Sequence, residues 1–148
     1  MRIFLDTNVL VAAVLTHGLC SELVEVTLAQ HDLVIDEAVI AELQRVLLEK
    51  FSTPPTRVAR LVALLNARSA KPSEPRTAMP TLALRDPADL AIVTAAIQGG
   101  AEVLVSGDRD LLEADLPILV LSPRELWQSL RYDIQPGAVH EPAATFGP

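Results

Sequence analysis

The chain has 148 residues, half of them apolar, and a formal net charge of −7 at pH 7. That length argues for one domain, with a core of Leu, Val, Ile and Ala because aromatic residues make up only 3%. An acidic chain does not hold nucleic acid by a basic surface, since phosphate contacts need Lys and Arg; gathered acids would instead meet a phosphate through a cation.

Cys20 is the single cysteine, which excludes an intramolecular disulfide and a cysteine-based zinc site. His17, His31 and His140 show no ligand spacing. A lone thiol fits a reducing cytosol. The apolar run at 9–15 is too short to span a bilayer, and no signal peptide is apparent. A cytoplasmic protein with no membrane association is therefore expected.

In chain order, "RIFL" at 2–5 reads as a short strand and 9–15 as the beginning of a helix. Ser21 reads as the N-cap of a helix over 21–30. "LVI" at 33–35 suits a buried parallel strand. Asp36 caps a long helix whose apolar stripe is Val39, Leu43, Val46 and Leu47. Pro54-Pro55 breaks the chain, and 56–67 forms another amphipathic helix. Residues 69–85, with Pro72, Pro75 and Pro80, read as an irregular connection carrying a short edge strand around 81–84. Asp86, Pro87 and Gly99-Gly100 delimit the next helix. "EVLVSGD" is a strand entering a polar turn, "DLLEA" (110–114) a short helix, 118–121 a strand, and "SPRELWQSL" a last helix. Residues 131–148 lack periodicity and read as a loose tail beyond a domain spanning 1–130.

Strands alternating with helices imply a single α/β domain: a central parallel sheet of about four to five strands with helices on both faces. Ligands in such sheets bind outside the carboxyl ends of the strands. Asp6 stands at the end of the first strand and Asp108 just past the end of "VLVS". Each has a plainer reading, as a cap or turn residue.

Glu42 falls three residues after Val39 and four before Val46, on the apolar stripe of its helix. A lone carboxylate there is costly to bury and calls for a partner, or else it lies at the stripe edge. Asp89 precedes Ile92 and Val93 at the same spacings, although an acid in the first helical turn is also favoured by the helix dipole. Asp86 and Asp110 are explained first as caps. If Asp6, Glu42, Asp89 and Asp108 converge, each close pair costs about 4 kcal/mol at an effective dielectric near 20. A hard divalent cation offsets that repulsion, and an all-oxygen donor set points to Mg²⁺ or Mn²⁺ rather than zinc.

"IFLDTNVLVAAV", "AVIAELQRVL", "RDPADLAIVTAA" and "LVSGDRDLL" together resemble the motifs of PIN-domain nucleases, in particular the bacterial toxins of toxin–antitoxin pairs similar to VapC-type ribonucleases. The resemblance runs from about residue 1 to residue 130. It implies an endoribonuclease dependent on Mg²⁺ or Mn²⁺, an RNA substrate, a protein antitoxin and a homodimer. Carried over, Asp6, Glu42, Asp89 and Asp108 match the family's acidic positions. Asn8 matches the polar residue after the first acid, and Ser106 a common Thr or Ser. Those two would orient carboxylates or phosphate. Asp86 and Asp110 are extra acids that would assist. Arg85 and Arg109 would meet RNA phosphates or form salt bridges.

Two other classes stay open. An aspartyl-phosphate phosphatase also has a strand ending in Asp, but its usual second Asp is Asn8 here and only Lys50 and Lys71 could supply its lysine. A non-catalytic RNA- or protein-binding module is the other. The apolar faces of the helices at 21–30 and 56–67 belong to the core or meet an antitoxin or a second copy.

Overall fold

The computed structural model describes residues 1–70 and 80–134. The elements run β1 (Arg2–Leu5), α1 (Thr7–Leu15), α2 (Leu19–Gln30), β2 (Asp32–Val34), α3 (Glu37–Glu49), α4 (Pro55–Arg68), α5 (Pro87–Gln98), β3 (Val103–Val105), α6 (Arg109–Glu113), β4 (Leu119–Leu121) and α7 (Pro123–Ile134). The strands form one parallel sheet in the order β2-β1-β3-β4. Among the described residues seven helices flank it, as expected for an α/β domain. Among the described residues no single helix is long and apolar enough to cross a membrane.

The strands are short and apolar because they are central. Ile3, Phe4, Leu5, Val103, Leu104 and Val105 are all at most 2% exposed, the continuous burial of a sheet covered on both faces. Leu33, Leu43, Leu47 and Leu65 add to this core.

The chain leaves β1 toward β2 on one side and later returns to place β3 on the other. That reversal of direction puts a crevice beyond the carboxyl ends of β1 and β3. Register fixes what meets there: Leu5 pairs with Val105, so Asp6 lies beside Ser106, and the Asp6 N–H donates to the Val105 carbonyl at 3.0 Å.

Several local expectations are corrected. The second helix starts at Leu19 with Gly18 as N-cap, so Ser21 lies inside it; the run from Leu19 continues the helical pattern without a break. Residues 80–85 form no strand. The sheet's extra edge contact is instead a bridge from Ser69 to Leu33, with the Ala70 N–H donating to the Leu33 carbonyl at 2.7 Å. Pro72 and Pro75 lie outside the described residues. The short helix is capped by Asp108, not Asp110: the Asp108 Oδ1 accepts from the Asp110 N–H at 2.9 Å. The last helix continues to Ile134 rather than ending at 130, and the remainder of the expected tail lies outside the described residues.

Candidate active site

Asp6, Asn8, Asp36, Glu42, Asp89 and Asp108 line one cavity of about 240 Å³, with Ala38, Val39, Ala88, Ala91 and Ile92 forming its apolar wall. The acids arrive from separate elements. Asp6 follows β1, Asp36 follows β2, Asp108 follows β3, Glu42 stands on α3 and Asp89 in the first turn of α5.

Asp6 occupies the N-cap position of α1, but its side chain makes no capping bond. It is only 8% exposed, and its Oδ2 accepts from the Ser106 hydroxyl at 2.8 Å. Ser106 is fully buried, and its Oγ accepts in turn from the Asp108 N–H at 3.0 Å. One hydroxyl thus ties the acid after β1 to the turn after β3. A buried hydroxyl with both bonds made is fixed in rotation, so it holds these two acids in register.

Burial pushes the Asp6 carboxyl above its ordinary value; the Ser106 and Thr7 hydrogen bonds oppose the rise, and the charges of Glu42 and Asp108 add to it. Asp89 is pushed up to about 6, by burial first and then by Asp108, Asp86 and Asp110 and by a hydrogen bond shared with the Asp108 side chain. The two acids therefore report the proximity of the others.

Glu42 is an exposed residue at the cavity rim. It lies at the edge of the stripe rather than on it, because Val39 and Leu43 take the buried positions. Asp86 caps α5, accepting from the Ala88 N–H at 2.8 Å. Asp86 and Asp110 do not line the cavity, but they act on Asp89 by charge. Arg85 is exposed and off the cavity lining. Arg109 is exposed and pairs with Glu113 at 3.5 Å, the salt-bridge reading of this residue. Asp36 was read from sequence only as a cap. The signal that could have found it is the one used for Asp6, an acid at the end of a strand.

Among the described residues no three His, Cys, Asp or Glu side chains stand close enough together to hold a metal ion as placed. The donor set nevertheless fits a hard divalent cation. Among the described residues it is all oxygen, with no nitrogen or sulfur ligand and no basic side chain on the cavity lining to offset its charge. Acids left without a cation repel, and after burial, the larger cause, that repulsion adds to the raised Asp6 and Asp89 carboxyls.

A pH dependence follows for the metal-free protein. A carboxyl raised from 3.8 to about 6 on folding binds its proton more tightly in the folded state. The stability it contributes is fully present below pH 3.8 and is lost as pH rises through about 6. Urea unfolding in a chelator is expected to give a lower midpoint at pH 7 than at pH 5, and Asp89→Asn is expected to flatten that difference.

The PIN-domain family model matches residues 2–110, and the chain belongs to the PIN-domain family. PIN domains are generally nucleases that use divalent metal ions. Among solved structures, the chain is similar to one in the crystal structure of VapBC2 from Rickettsia felis bound to a DNA fragment from their promoter. The identity is 18% and the TM-score 0.56, covering 82% of this chain and 98% of that one. At that identity the likeness concerns the fold. No curated protein matches the chain significantly.

Proposed function

We propose that the chain is an endoribonuclease dependent on Mg²⁺ or Mn²⁺ and the toxin of a type II toxin–antitoxin pair. The observation that carries this reading is the meeting of Asp6, Glu42, Asp89 and Asp108 on one cavity beyond β1 and β3.

Asp6, Asp89 and Asp108, with Glu42, would hold the cation. When bound, it supplies Lewis acidity for phosphodiester hydrolysis and neutralises charge in the transition state. Ser106 keeps Asp6 and Asp108 aligned through its two hydrogen bonds. Asn8, exposed on the cavity wall, would orient the phosphate. Arg109 would exchange its exposed partner Glu113 for a phosphate, since a surface ion pair contributes little; Arg85, exposed just before the Asp86 cap, would meet a phosphate farther along the RNA strand.

The test is cleavage of a labelled RNA by purified protein. Cleavage with Mn²⁺ or Mg²⁺ that stops with EDTA supports the reading. RNA binding indifferent to EDTA with no cleavage would instead favour a non-catalytic module. The phosphatase alternative is disfavoured because position 8 is Asn, where that chemistry uses a second Asp.

The toxin assignment draws on the VapBC2 likeness and on a second groove of about 370 Å³. There α1, α2 and α4 present Leu10, Val14, Val24, Leu28, Leu61 and Leu64. Leu10 is buried and Val14, Val24, Leu28 and Leu61 pack in part against the core, which leaves their outer edges and the exposed Leu64 along the groove. A protein antitoxin would cover them. Leu64 is 45% exposed, so Leu64→Asp is expected to leave the melting temperature nearly unchanged and to weaken capture of the antitoxin at least tenfold, measured by titration calorimetry with the product of an adjacent antitoxin gene. A homodimer belongs to the same reading, and light scattering showing only monomer would contradict it.

A further inference from the structure

The groove formed by α1, α2 and α4 carries a charge pattern as well as apolar surface. Two of its walls are single helix faces: Val24, Glu25 and Leu28 from α2, and Arg57, Leu61 and Leu64 from α4. Residues three, four and seven places apart share one side of a helix. Each of these walls therefore offers apolar side chains and one charge, negative on α2 and positive on α4.

Glu25 and Arg57 are both exposed. Among the described residues neither side chain makes an ion pair or a hydrogen bond, with the other or with any third group. Opposite charges thus stand on separate walls of one groove without meeting. An occupant that lies between them must bring a cation to α2 and an anion to α4.

A groove of about 370 Å³ walled by helix faces admits the apolar stripe of one further helix. A second copy would present the same concave surface, and two concave surfaces do not fill each other. Residues 135–148 include Glu141 but neither Lys nor Arg, so they bring no such cation to Glu25.

A helix whose apolar stripe is flanked by an acid on one side and a base on the other can enter the groove in two directions. Turning it end for end keeps the stripe inward and exchanges the flanks. One direction pairs both charges. The other sets the acid against Glu25 and the base against Arg57. An exposed ion pair adds little affinity, but like charges brought together at an interface select strongly against the wrong arrangement. We propose that Glu25 and Arg57 fix the direction of an amphipathic antitoxin helix in this groove, its acid meeting Arg57 and its base meeting Glu25. This rests on the toxin reading.

The test is a set of double-mutant cycles. Arg57→Glu and Glu25→Lys are titrated by calorimetry with the product of an adjacent antitoxin gene, in which each acid and each base is reversed in sign in turn. Both substitutions lie at exposed positions and are expected to keep the wild-type melting temperature. Each toxin variant is expected to bind roughly tenfold more weakly than wild type. Reversal of one antitoxin acid is expected to restore Arg57→Glu, and reversal of one antitoxin base to restore Glu25→Lys, the two positions lying on opposite flanks of one apolar helical stripe.

Wild-type affinity in both toxin variants would overturn the proposal and leave the groove with apolar contacts alone. Restoring positions on the same flank would overturn it by removing the choice of direction. A changed oligomeric state of Arg57→Glu in light scattering, with antitoxin binding unchanged, would overturn it in favour of a second copy. Undiminished capture by Leu64→Asp would refute the groove as the antitoxin site, and no capture by wild type would refute the toxin reading itself; both outcomes are separate from the charge cycles.

Discussion

Asp6→Asn is expected to reduce RNA cleavage by roughly a thousandfold, the scale of the several kcal/mol a cation contributes to a phosphoryl transition state. The size follows from position. Asp6 is the most buried of the cavity acids, it is the one tied to Ser106, and it borders both strands at the crevice. Asparagine keeps the volume and one oxygen, and that oxygen can still accept from Ser106, so the fold survives. Relief of a buried charge is expected to raise the melting temperature of the metal-free variant, which separates lost chemistry from lost folding. Thermal unfolding and single-turnover cleavage, measured on the same preparation, check both halves. Wild-type activity in the variant would remove Asp6 from the mechanism.

Ser106→Ala is expected to weaken Mn²⁺ binding by about 10–100-fold, the usual cost of losing a group that orients a metal ligand. The mutation strips Asp6 Oδ2 of its donor and the Asp108 N–H of its acceptor together. Both acids then gain freedom at the point where they must converge. Stability is expected to fall as well, by about 1 kcal/mol, because the half-buried Asp108 N–H and the buried Asp6 carboxylate each lose a partner. Ser106→Thr retains the hydroxyl and is expected to recover most of the affinity if its methyl group is accommodated. Calorimetric titration with Mn²⁺ distinguishes the three proteins. An alanine variant with wild-type affinity would reduce the bridge to a structural contact.

The sequence made the sheet legible where burial is continuous. β1 and β3 read as apolar runs ending in polar turns, and the structure places Asp6 and the 106–108 turn where those ends predict. Parallel order followed from alternation, but register did not, and only register turns Ser106 from a turn residue into the link between two acids. Glu42 shows the limit of helical spacing. Its position relative to Val39 and Val46 suggested the buried stripe, but a helix face is about 100° wide, and Glu42 lies just past its edge.

Ser21 was a good capping residue in the wrong place, because its helix had already begun at Leu19. The expected strand at 81–84 does not form; Leu82 and Leu84 pack against the core from irregular chain, so their apolar spacing reflects burial without pairing. Asp36 is hidden by a sufficient explanation: capping accounts for the residue type, and only the structure shows that it also borders the cavity.

The central claim is that acids from separate elements form one cation site. Anomalous scattering from crystals of the protein grown with Mn²⁺ tests it most directly. A strong peak is expected inside the cavity, in contact with Asp6 and Asp108, that disappears in Asp6→Asn. A cavity without density at millimolar Mn²⁺, or a peak bound elsewhere and unaffected by that substitution, would contradict it.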